Sequence, residues 1–185
     1  MARQGFTSAD VVDFPPASFA AVANTVTRTN LWTPAIWTSI PAFDMRAGKM
    51  YRMTAGGIIS TTGAPTVIFN PTFGQSTTPA TNIALGASTT TATGTGLANA
   101  SWFVDFVLGC RQIGVAASTA TITGNGSIQI GGPAATASIG LALGGTVVTT
   151  ADQTTAQGLC LDITWGTASA SNTITCQWAN VRSLN

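Results

Sequence analysis

From Ser101 to Gln112 the chain reads SWFVDFVLGCRQ, and the even positions from Trp102 to Cys110 (Trp102, Val104, Phe106, Leu108 and Cys110) are all apolar. A two-residue period puts these five side chains on one side of an extended strand. The odd side mixes Phe103 and Val107 with Asp105, Gly109 and Arg111, a composition that asks for cover there too. The same period recurs near the C-terminus. Leu159, Leu161, Ile163 and Trp165 alternate with Cys160, Asp162 and Thr164, and Ile174, Cys176 and Trp178 share one parity in Ser171 to Leu184. No segment shows a helical period. The pattern predicts an all-β chain.

In chain order, residues 1–24 lack this alternation and carry Phe6, Phe14, Phe19 and the pair Pro15-Pro16, which forbids continuous helix or central strand. Three Phe are costly to leave in water, so this segment is expected to be an ordered arm docked on a neighbouring surface. Thr25 to Thr33 alternates weakly around Val26 and suits an edge strand. Ile36 to Phe69 then reads as strand, turn, strand, turn, strand. Pro41 stops the first strand, Asp44 to Gly48 turn the chain, Met50 to Ile59 extend, and Gly63-Ala64-Pro65 breaks before Val67 to Phe69. Phe73 to Gly96 is rich in Thr, Ser, Gly and Ala, with Ile83 and Leu85 as its sizeable apolar residues. It fits a long surface loop with a short strand at Thr81 to Leu85 better than a linker, because neither flank alone has enough strands to close a sandwich. Gly124-Asn125-Gly126, between Ile122 and Ile128, is a hairpin signal or a bulge. Weaker strand pieces lie in Ile139 to Thr150. The count, about eight or nine strands, points to a sandwich or jelly roll over residues 25–185, one domain behind its arm. A chain of 185 residues buries roughly 70% of its unfolded surface and needs no disulfide staple.

Charge narrows the function classes. Only 7% of residues are charged, against 45% hydrophobic, with net charge +1. Soluble domains carry about 25% charged residues, so much of this surface is expected to be covered by other subunits. The basic residues Arg3, Arg28, Arg46, Lys49, Arg52, Arg111 and Arg182 are scattered, which disfavours nucleic acid as a partner. No apolar run approaches the ~20 residues of a membrane-spanning helix, and no signal sequence is visible, so synthesis in a cytoplasm is expected. Three Cys cannot all pair within the chain and lack metal-like spacing, so free thiols and no metal or other cofactor are expected.

The chain has neither His nor Glu. Without imidazole the usual Ser or Cys triads are excluded. A glycosidase needs two carboxyls across the scissile bond, and Asp105 with Asp162 is the one pair that the expected topology brings together. With Arg52 beside them both would stay ionised, which suits an ion pair better than a general acid. Gly94-Thr95-Gly96 lacks the strand–helix setting of a phosphate loop and reads as a turn. The expectation is a protein that is not an enzyme.

The stretch IPAFDMRAGKMYRMTAGGIISTTGAPTVIF resembles the first half of small jelly-roll modules in virion proteins of tailed bacteriophages, and LCLDITWGTASASNTITCQWANVRSLN is similar to their closing strand pair. The resemblance spans most of residues 30–184 and contains no catalytic signature. It implies a capsid decoration protein, head fibre or tail-tip component, often trimeric. In a jelly roll one sheet orders its strands C-H-E-F. Assigning C to Met50–Ile59, H to Gln157–Gly166 and E to Ser101–Gln112 sends Tyr51, Met53, Trp102, Val104, Phe106, Leu159, Leu161, Ile163 and Trp165 inward. The outer face then carries a ladder of Arg52, Asp162 and Asp105 among Phe103, Val107 and Met50. Such a face reads as a subunit contact. The expectation is thus a homotrimeric decoration protein of the virion, assembled in the host cytoplasm. It would bridge neighbouring capsomers through the major capsid protein or other virion proteins, with Phe6, Phe14 and Phe19 as an anchor. The rival reading is a tail-tip or fibre module that binds host-surface carbohydrate through Trp32, Trp37 or Trp178.

Overall fold

The computed structural model describes residues 17–33, 39–94, 96–113, 119–131 and 138–185. Within them the strands are β1 (Val22–Ala23), β2 (Thr29–Asn30), β3 (Ser39–Ile40), β4 (Met50–Ser60), β5 (Thr66–Phe73), β6 (Ile83–Ala84), β7 (Thr91–Ala92), β8 (Ala100–Ile113), β9 (Thr119–Ile130), β10 (Ile139–Asp152), β11 (Gln157–Trp165) and β12 (Thr173–Ser183). One 3-10 turn, Pro79–Thr81, is the sole helical element among the described residues. The strands form two antiparallel sheets packed as a β-sandwich. The larger runs β1-β12-β4-β8-β9-β10, and the smaller runs β2-β11-β5-β6 with β3 also on β11 and β7 also on β5. At one side β10 curls over towards the smaller sheet and half-closes a barrel: Gly144 N donates to Gly86 O at 2.9 Å and Thr146 N to Leu85 O at 3.3 Å.

The alternation read from the sequence decides what fills the sandwich. Tyr51, Met53, Trp102, Val104, Phe106, Leu159, Leu161, Ile163 and Trp165 are all buried, as expected. Cys110 and Cys176 are small core residues, and all three cysteines are free thiols. The Thr-rich segment after β5 folds back along that strand as a loop. Leu85 N, Ser88 N and Thr93 N donate to the carbonyls of Pro71, Phe69 and Pro65, and Leu85 and Leu97 plug the core.

Strand order is where the structure departs from expectation. Gln157–Trp165 does not lie between Met50–Ser60 and Ser101–Gln112. β4 pairs directly with β8 on one side and β12 on the other, while β11 pairs with β5 in the opposite sheet. The cause is a nested pair of crossings. β4 and β5 are joined by a turn at residues 61–65, β11 and β12 by one at 166–172, and the two turns stack, with Thr62 N donating to Asn172 Oδ1 at 3.1 Å. Each strand keeps its partner across the crossing, so β11 stays with β5.

Two local expectations also change. Gly124-Asn125-Gly126 makes no hairpin, because β9 runs straight through it. Both glycines point inward, where a Cβ on Gly124 would strike the Phe106 ring and one on Gly126 the backbone of Asp105 and Phe106. They are absent side chains that admit an aromatic ring. In β12 a bulge between Cys176 and Trp178 shifts the register by one residue. Trp178 therefore leaves the Ile174–Cys176 side and faces outward, and Ala179 turns into the core. The partner strand is built for this. A Cβ on Gly57 would collide with the Thr175 carbonyl, and one on Gly56 would come within 2.9–3.0 Å of the Trp178 indole.

The end of the N-terminal segment is part of the sandwich. Phe19 N donates to Cys176 O at 2.9 Å, Phe19 packs on the core of its own chain, and β1 extends the large sheet along β12. Phe6 and Phe14 lie outside the described residues, as does Trp37.

Candidate functional site

The outer face of the large sheet holds most of the residues expected at an interface. Arg52 on β4 and Asp105 on β8 are brought together: Arg52 Nε donates to Asp105 Oδ1 at 2.8 Å, and Nη2 meets Oδ2. The two sit diagonally, since Arg52 is opposite Val107 and Asp105 opposite Thr54. This fork of two parallel bonds holds the Asp105 carboxyl below its usual range, with Arg182 on β12 adding a smaller pull. Phe103 is 41% exposed and pairs with Trp178, ring centroids 5.9 Å apart and planes tilted by 41°. Val107 is half-buried on the same face.

Asp162 is not there. It belongs to the opposite layer, on the side of β11 turned away from the core, yet none of its side chain is exposed. It lies between Asn30 of β2 and Asn70 of β5 in direct register, accepts from Arg28 Nε at 2.8 Å, and has Thr72 Oγ1 at 3.4 Å. Burial pushes its carboxyl up to about 6, against the opposing pull of Arg28. The expected three-residue ladder is therefore two separate ion pairs, Arg52–Asp105 and Arg28–Asp162. Asp105 and Asp162, the one carboxyl pair that the expected topology juxtaposed, sit in different sheets. The sequence showed both acids but not their cations. Arg28, on the edge segment before β2, was missed as the partner of Asp162, and the bare parity of β11 carried no signal for it.

Of the aromatics considered as sugar platforms, Trp32 is buried and donates from Nε1 to Leu159 O at 3.2 Å. The neighbouring Cys160 thiol, also buried, lies 3.2 Å from Trp32 O and is pushed well up by burial. Trp178 alone among the described candidates reaches the surface. The Gly56-Gly57 pair opposite it is the sequence signal that marks its bulge.

A second feature lies at the end of the large sheet. An open cleft of about 1120 Å³ runs between the 41–49 turn and the last residues of the chain. Phe43 on its wall is 61% exposed at φ +59°, a strained conformation for a bulky residue. Tyr51 Oη donates to Asp44 Oδ2 at 2.7 Å, and Lys49 Nζ lies 3.8 Å from the same carboxylate. Burial and then the Asp44 bond push the Tyr51 phenol far above its ordinary value, so it stays a neutral donor. Asn185 ties the chain end down, accepting from Met50 N at 2.9 Å and donating to Gly48 O at 2.8 Å.

Among the described residues no group of three or more His, Cys, Asp or Glu is placed to hold a metal ion. Comparisons with protein-family models, with curated proteins and with solved structures returned no match.

Proposed function

We propose that the chain is a non-enzymatic structural protein of a tailed-phage virion, a homotrimeric decoration subunit that bridges neighbouring capsomers. The observation that carries this reading is an apolar surface on a chain with very few charges. Phe43 and Leu184 on the cleft, and Met50 bonded through its carbonyl to Leu184 N, each expose two-fifths or more of their surface, on a protein with 7% charged residues. Apolar side chains collected at one end of a sheet, beside a Lys49–Asp44 pair that offsets its own charge, suit a contact that becomes buried on assembly. The Arg52–Asp105 pair on the adjoining face is internally satisfied and adds no uncompensated charge to such a contact. The relation to jelly-roll modules draws support from the nested pairing of β4 with β12 and β5 with β11, the way such modules close their first strands on their last. The β8-β9-β10 meander departs from that plan.

Light scattering on the purified chain tests the assembly. A particle of three times 18.7 kDa is expected, and Phe43→Ser with Leu184→Ser should shift it towards single chains. A stable monomer at micromolar concentration would overturn the reading. Imaging of the particle then separates head from tail, with density on the head lattice as the expected result.

A further inference from the structure

The strand register lays out the exposed face of the large sheet as rows. Trp178, Gly56, Phe103 and Gln129 form one row, Asn180, Thr54, Asp105 and Ser127 the next, and Arg182, Arg52, Val107 and Asn125 the third. Consecutive rows are two residues apart, about 7 Å. The first is an aromatic strip. Gly56 gives the Trp178 indole a floor, and the Phe103 ring lies beside it, tilted by 41° with centroids 5.9 Å apart. The second row is almost all hydroxyl and amide, groups that both donate and accept. The third sets Arg182 directly opposite Arg52, an unfavourable pairing of like charges. Asp105 is forked onto Arg52. Arg182 is exposed and makes no ion pair among the described residues.

We propose that this face binds an acidic oligosaccharide. The apolar face of one pyranose ring stacks on the Phe103–Trp178 strip, its hydroxyls exchange hydrogen bonds with Asn180, Thr54 and Ser127, and the carboxylate of a neighbouring uronic acid sits on Arg182. Trp178 and Arg182 are four residues apart, about 13 Å along the strand, so the ligand spans more than one sugar. Aromatic rings beside hydroxyls and amides match a sugar, which is apolar on one face and polar at its rim. The net positive charge of Arg52 and Arg182 against Asp105 selects an acid over a neutral sugar. It also disfavours a second copy laid face to face, which would meet the same charge. Nucleic acid needs a larger cluster of cations.

Calorimetric titration with a galacturonic-acid tetramer and a galactose tetramer tests this. The acidic tetramer should bind at least about tenfold more tightly, a preference of roughly 1.4 kcal/mol. Arg182→Gln should erase the preference while keeping weak binding to both, and added salt should do the same. Phe103→Ala and Trp178→Ala should abolish binding, and Trp178→Phe should retain part of it. Gly56→Ala keeps both aromatics but lifts the indole, and should weaken binding several-fold. Arg111→Gln should change nothing. Absence of binding to these tetramers and to an array of acidic glycans would overturn the proposal. So would a Kd that is unmoved by Phe103→Ala and Trp178→Ala, or a dimer that Phe103→Ala dissolves, which would give the face to a second copy. The proposal stands apart from the trimer reading: a monomer that binds the acidic tetramer sinks only the latter, and a trimer that ignores it sinks only the former.

Discussion

Arg52–Asp105 and Arg28–Asp162 are chemically the same pair placed on the outward sides of the two sheets, and their carboxyls move in opposite directions. Asp105 is partly exposed, so the fork from Arg52 outweighs desolvation and its pKa falls. Asp162 is fully buried, so desolvation outweighs Arg28 and its pKa rises to about 6. Contact distance does not distinguish them, since each has an Arg Nε at 2.8 Å. Solvent does. The large sheet leaves its outer face open, whereas the small sheet's outer side is buried along Asn70, Thr72, Cys160 and Asp162. A pair open to water is nearly neutral for stability and available for contacts, while a closed one is structural.

Removing one partner gives the widest separation of the two faces. Asp162→Ala takes its charged partner from Arg28, whose side chain is 28% exposed, and should cost about 1.5–3 kcal/mol in urea unfolding. A cost near that of an exposed residue would mean that the small sheet's outer side opens to water. Gly57→Ala drives a Cβ into the Thr175 carbonyl at the β12 bulge and should cost about 1–3 kcal/mol. It should also disturb Trp178 fluorescence, and an unchanged spectrum with unchanged stability would deny that the bulge fixes the indole.

The pH dependence has opposite signs for the two acids. Asp162 binds its proton more tightly folded than unfolded. Its contribution is therefore complete below the unfolded value of 3.8 and lost as pH rises through about 6. Asp105 does the reverse: its contribution is present above 3.8 and lost as pH falls through its lowered folded value. From pH 7 to pH 5 the chain should therefore gain on the order of 1 kcal/mol, the equivalent of one pKa unit. Asp162→Asn should flatten this slope and Asp105→Asn should leave it. A slope that survives Asp162→Asn would assign it elsewhere. Smallest of all, Arg52→Ala should change stability by less than about 1 kcal/mol, as exposed pairs do. A larger loss would show that the open face is less solvated than its exposure indicates.

Much of the interior was legible in the sequence, because the two-residue period is local. Trp102 to Cys110 and Leu159 to Trp165 faced the core as their parity required. Phe103, Asp105 and Val107 shared the other face, as expected. The site was legible only in part. The parity of β12 failed at Trp178, since one extra residue in a bulge reverses every side chain beyond it. Gly124-Asn125-Gly126 had the composition of a turn, and only the position of the Phe106 ring made it a strand. The sequence by itself determined an all-β chain, two-faced strands and the residues that line the core. Only the tertiary structure decided that Asp105 meets Arg52 while Asp162 meets Arg28. A strand's faces follow from its own residues, but its neighbours follow from pairings across the whole chain.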